Sequence, residues 1–69
     1  MAKVTIVFNG NEEDVEESTT LLDLVERSGV EPRYCAVEVN LEIVPRSDYA
    51  SHQVQQGDRI EIVTLVGGG

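Results

Sequence analysis

The sequence predicts an α+β fold, a mixed sheet of four to five strands with one helix packed across a face. Three observations predict it. Residues 3–8 and 59–66, near the two ends of the chain, are rich in β-branched residues and alternate at period two. Between them lies a short leucine stripe at helical spacing, with a start signal before it and a stop signal after it. The chain has 69 residues, enough for one small core.

The first strand, residues 3–8, places Val4, Ile6 and Phe8 on one face. Asn9-Gly10 follows, a strong hairpin signal, because a type I′ turn needs positive φ at both central residues. The returning residues 11–17 are acidic and offer only Val15 to a core. They predict an edge strand whose charges discourage pairing with other chains. Thr20 and Asp23 have the spacing of a capping box, with Asp in place of the usual Glu. Leu21, Leu22, Leu24 and Val25 form the helix stripe, Gly29 stands where a left-handed C′ residue belongs, and Pro32 blocks continuation. A helix this short is marginal alone and needs a sheet to cover.

Residues 34–39 read as a strand in which Cys35, Val37 and Val39 alternate with Ala36 and Glu38. Asn40-Leu41-Glu42 turns the chain into Ile43-Val44, which Pro45 stops. Residues 45–53 hold polar groups around Tyr49 and read as a loop or short helical turn. Gln56-Gly57-Asp58 turns into the last strand, residues 59–66, with Ile60 and Ile62 on one face and Glu61, Val63 and Leu65 on the other. The first and last strands are the most apolar, which places them centrally. A right-handed crossover through the helix then sets the third strand on the far side of the last.

Composition excludes several function classes. The net charge of −8 argues against a nucleic-acid partner, whose phosphates need a basic surface, and suits steering toward a basic protein. No run approaches membrane-spanning length and the start lacks a signal-peptide pattern, so the expectation is a cytoplasmic protein with no membrane contact, monomeric when free. The single cysteine excludes an intramolecular disulfide and a CxxC pair. Cys35 alternates with Val37 and Val39 and reads as a core residue. His52, in a polar stretch, reads as a surface histidine. Glu12, Glu13, Asp14, Glu16 and Glu17 lack the spacing and glycine of a calcium loop. No bound cofactor or metal is expected.

What remains is the tail, Leu65-Val66-Gly67-Gly68-Gly69. Glycines pack against nothing and lose the most entropy when ordered, so folding gives no reason for three of them. A narrow channel that any Cβ would obstruct does give one. Fully extended, the glycines hold the Gly69 carboxylate about 10 Å beyond Val66. The chain divides on this reading into a body, residues 1–66, and a flexible reactive tail, residues 67–69. A carboxylate with a pKa of roughly 3.3–3.7 is ionised at neutral pH and a poor electrophile. It becomes reactive once adenylated by ATP, and the acyl group can then pass to sulfur. The body has no nucleotide-binding pattern, so a separate enzyme must grip it and draw in Gly67, Gly68 and Gly69. With Ile60 and Ile62 facing the helix, Val63 and Leu65 are the apolar residues left for that grip, next to Val66.

The strand with its Asn9-Gly10 hairpin, the Thr20-capped leucine helix, Val39-Asn40, Ile43-Val44-Pro45-Arg46, Gly57-Asp58 and the terminal glycines together resemble the ubiquitin-like β-grasp sulfur carriers. Within them the chain is most similar to the ThiS family of thiamine biosynthesis, over nearly its whole length. The resemblance implies that a ThiF-like adenylyltransferase uses ATP to adenylate Gly69. A cysteine desulfurase or other donor then supplies sulfur to form a thiocarboxylate, and a ThiG-like thiazole synthase accepts it. Gly68 and Gly69 match the family's essential pair. Tyr49 agrees with an aromatic usual at its place, whereas Leu41 stands where relatives often have glycine. MoaD-like carriers, carriers for cysteine or thiosugar synthesis, and ubiquitin-like modifiers joined to lysines through the same terminus share this pattern. A non-reactive acidic binding module is the remaining alternative, and it alone predicts that loss of Gly68 and Gly69 is harmless.

Overall fold

The computed structural model describes residues 2–65. β1 (Lys3–Phe8) and β2 (Asn11–Glu16) form a hairpin that leads into α1 (Leu21–Ser28). A 3₁₀ turn (Pro32–Tyr34), β3 (Cys35–Val39), β4 (Glu42–Val44), a second 3₁₀ turn (Arg46–Asp48) and β5 (Arg59–Thr64) complete the chain. The sheet order is β2-β1-β5-β3-β4. Only β1 and β5 run parallel; the other neighbours are antiparallel. β1 and β5 thus lie inside the sheet with β3 beyond β5, the arrangement a right-handed crossover through α1 requires. The acidic β2 is an edge strand.

Asn9 and Gly10 have φ of 49° and 86°, the type I′ geometry their residue types favour. Asn9 does more than turn the chain. Its N–H donates to Ile60 O and its Oδ1 accepts from Ile62 N, each at 2.9 Å. These bonds extend the parallel β1–β5 ladder past the point where β1 has ended.

The predicted capping box is present. Asp23 N donates to Thr20 Oγ1 at 3.1 Å and Thr20 N donates to Asp23 Oδ2 at 2.9 Å. The first N–H groups of the helix, on Leu21 and Leu22, donate to His52 O and Tyr49 O, both at 3.0 Å. The second 3₁₀ turn and its sequel therefore satisfy donors that a helix start leaves open. Gly29 closes the helix at φ 80°. Leu21, Leu24 and Val25 are buried, while Leu22 packs at the margin.

The core joins this stripe to Ile6, Phe8, Val15, Val37, Val39 and Ile60 of the sheet. Residues 45–53 contribute more than a polar loop. Tyr49 is only 3% exposed and Val54 is buried beside it. Gln53 bridges to Thr20, so this segment closes the open end between helix and sheet.

Strand boundaries differ from the sequence expectation by a residue or two: β2 ends at Glu16 and not Glu17, and β4 takes in Glu42. Pro32 opens a 3₁₀ turn in which Tyr34 N donates to Glu31 O at 2.9 Å, so β3 starts at Cys35 instead of Tyr34. β5 stops at Thr64, although Leu65 N still donates to Tyr34 O at 2.7 Å. Val66 and residues 67–69 lie outside the described residues. Among the described residues, no helix is long and apolar enough to cross a membrane.

Candidate functional site

Residues paired across neighbouring strands share a sheet face. In the β3–β5 ladder, Val37 pairs with Ile62 and Val39 with Ile60 on the helix side. Ala36 pairs with Val63 and Glu38 with Glu61 on the opposite, open side. Ile43 of β4 pairs with Glu38 and so joins the open side. The bond from Leu65 N to Tyr34 O brings Tyr34 beside Leu65 where β5 leaves the sheet. Val63 is 46% exposed, Tyr34 50%, Leu65 53% and Ile43 63%. Single exposed apolar residues need no explanation, but these gather on one sheet face and lead to the tail.

Val63 and Leu65 are therefore where the alternation of β5 predicts. Val66, Gly67, Gly68 and Gly69 lie outside the described residues. Tyr34, Ala36 and Ile43 were not among the candidates from sequence. They reach the site through the pairing register of strands distant in sequence. The available hint was that Ile43 alternates with the core-packed Val44.

The same face holds an electrostatic mismatch. Glu38 and Glu61 stand directly opposite each other, an arrangement of like charges that weakens a strand pair. Among the described residues neither carboxylate has an ion-pair partner. A partner surface that is apolar, with a basic group set against these two residues, complements the face. Beside it the Arg33 guanidinium lies 4.9 Å from the Tyr34 ring centroid, adding a cation–π contact at the edge.

The body offers little to activate a carboxylate. Burial pushes the Cys35 thiol up from its usual 9.0, which disfavours the nucleophilic thiolate. Burial also pushes the Tyr49 phenol up, reinforced by the nearby Cys35. Both groups are held neutral inside the core. His52 is half-buried, and its carbonyl serves the helix start. It lines a shallow cleft with Glu42, Val44, Pro45, Asp48 and Asp58. That cleft opens to solvent, whereas small-molecule sites bury most of their ligand.

Two of the four acidic residues of β2 have structural partners. Glu13 Oε1 lies 2.9 Å from Arg27 Nη2, and Asp14 Oδ1 accepts from Thr5 Oγ1 at 2.6 Å. Arg27 also sits 5.0 Å from the Phe8 ring centroid, so it links α1 to the first hairpin. Among the described residues, no three His, Cys, Asp or Glu side chains gather as metal ligands.

Comparison with known proteins follows this geometry. The sequence matches the ThiS family over residues 3–69. It is 48% identical over 64 residues to a thiazole synthase of Paramagnetospirillum magneticum, a match covering 93% of this chain and 20% of that protein. The chain spans about a fifth of the length of the curated thiazole synthases it matches. It is 33% identical over 64 residues to the sulfur carrier protein ThiS of Escherichia coli K12, covering 93% of this chain and 97% of that one. The crystal structure of the thiamine biosynthesis protein ThiS from Geobacter metallireducens superposes with a TM-score of 0.76 at 29% identity, over 96% of this chain and 100% of that chain.

Proposed function

The chain belongs to the ThiS family, and on that premise we propose that it is a sulfur carrier of thiamine biosynthesis and a co-substrate of its enzymes, not a catalyst. The working group is the α-carboxylate of Gly69. An adenylating enzyme joins it to the α-phosphate of ATP and releases pyrophosphate. Sulfur at the sulfide level then attacks the acyl carbon, the bond to AMP breaks, and a thiocarboxylate remains. A persulfide donor needs in addition a thiol to cleave its S–S bond. A thiazole synthase takes the sulfur onward and regenerates the carboxylate.

One observation supports this reading above the rest: an apolar strip on the open sheet face leads along β5 toward Val66-Gly67-Gly68-Gly69. The strip suits docking and the glycines suit a narrow channel. Similarity to proteins named thiazole synthase supports the choice of acceptor. The test is ATP–pyrophosphate exchange by a cognate adenylating enzyme. The full chain supports exchange, and removal of Gly68 and Gly69 abolishes it. Gly69→Ala retains the fold and slows exchange by roughly 100-fold, the scale of an ångström-level misplacement at a reacting centre. Normal exchange by either variant would contradict the proposal.

A further inference from the structure

The tip of the β3–β4 hairpin holds a leucine, Leu41, at a position where folding favours another residue type. Asn40 and Leu41 have φ of 53° and 73°, the geometry of a two-residue type I′ turn. Asparagine tolerates this region. In leucine the Cβ crowds the following carbonyl, a strain glycine would not have. The Leu41 side chain is also 79% exposed, more than any other large apolar residue among those described. It neither suits the backbone nor fills the core.

The tip is held firmly. Asn40 N donates to Arg59 O at 2.8 Å, Asn40 Nδ2 donates to Asp58 Oδ1 at 3.0 Å, and Asn40 Oδ1 accepts from Arg59 N at 3.0 Å. Asp58 Oδ2 in turn accepts from Gln55 N at 2.9 Å. A side chain on a backbone fixed in advance loses little freedom on binding. Two residues on, Ile43 stands on the open face in the row of Glu38 and Glu61. Leu41 thus lies two residues from this row, at the end of the sheet remote from Leu65. With β5 running between them, the tip at Asn40, bonded to Arg59, and the exit at Leu65 are on the order of 20 Å apart.

From strain, exposure and rigidity together we propose that Leu41 is a second anchor for the adenylating enzyme, seated in an apolar pocket with a basic rim. The rim follows from the Glu38–Glu61 pair in the adjoining row and the net charge of −8. An anchor this far from the tail grips the body while leaving the glycines free to enter the active site. The proposal rests on the carrier reading above.

The test compares the full chain with Leu41→Gly in ATP–pyrophosphate exchange, with thermal melts of both. The variant raises the KM for the carrier about tenfold, the loss falling on KM instead of kcat as for an interaction made equally before and during reaction. Its Tm equals or exceeds that of the unaltered chain. An unaltered chain that supports no exchange removes the carrier reading and the anchor with it. Exchange with equal KM for both chains overturns the anchor alone. A lower Tm in the variant also overturns it, because folding would then require the leucine. Two results would reassign the tip and overturn this partner. One is a KM raised only for the sulfur acceptor, the other a dimer of the unaltered chain that Leu41→Gly dissolves.

Discussion

Cys35 and Tyr49 are two residues whose ionisation the fold alters, and in both the anion is disfavoured by burial. Their folded pKa values are raised, so the stability they contribute is fully present below the unfolded values of 9.0 and 10.0. It is lost as pH rises through the higher folded values. Urea midpoints are therefore expected to fall from about pH 9 upward, and the double variant Cys35→Ala, Tyr49→Phe flattens that fall. A full chain as stable at about pH 11 as at neutrality would contradict the assignment. Residues also differ in how far sequence reveals them. Asn9-Gly10 announces its turn because both residue types favour positive φ. Asn40-Leu41-Glu42 was legible as a turn, but the positive φ of Leu41 was not, because it is imposed by the pairing of Val39 with Glu42 on either side of a two-residue loop. Cys35 was legible as core from alternation alone.

At the scale of elements, the helix was the most legible part, since its signals are local. Thr20, Asp23 and Gly29 mark its ends within a few residues of the stripe they bound. Its energetics separate along the same lines. Leu24→Ala should destabilise the chain by about 2–5 kcal/mol through the cavity it leaves. Thr20→Ala should remove about 1 kcal/mol through the lost cap. Chemical denaturation of both variants checks the order, and equal losses would mean that the cap or the stripe is misassigned. Residues 45–53 were legible as a loop or short helical turn, which Arg46–Asp48 forms, but not as part of the core. Tyr49 and Val54 reach the core because the segment folds back over the helix start, and its bonds from Leu21 N and Leu22 N join residues far apart in sequence. Local pattern carries no trace of such contacts. The start of β3 shifted for a local reason, the turn that Pro32 opens.

At the scale of the whole molecule, the described residues form one compact body, and the proposed chemistry is assigned to residues 67–69 outside them. Its topology was legible because so short a chain leaves few right-handed ways to cross one helix over one sheet. The apolar patch on the open sheet face was legible only on β5. Its Tyr34, Ala36 and Ile43 depend on which residue of one strand meets which of another, and alternation fixes the face of each strand without its neighbours. The Glu38–Glu61 opposition was hidden for the same reason, and it is the feature that most specifies the charge of a partner. Val66 to Gly69 carry the proposed chemistry, and the reading of them rests on the run of glycines and on family membership. The most direct measurement is the intact mass of the full chain after incubation with ATP, a cognate adenylating enzyme and a sulfur donor. A sulfur carrier gains the mass of one sulfur in place of one oxygen, and the gain disappears when Gly69 is removed. An unchanged mass, with the same enzyme and donor loading sulfur onto another carrier, would contradict the thiocarboxylate as the working group of this protein.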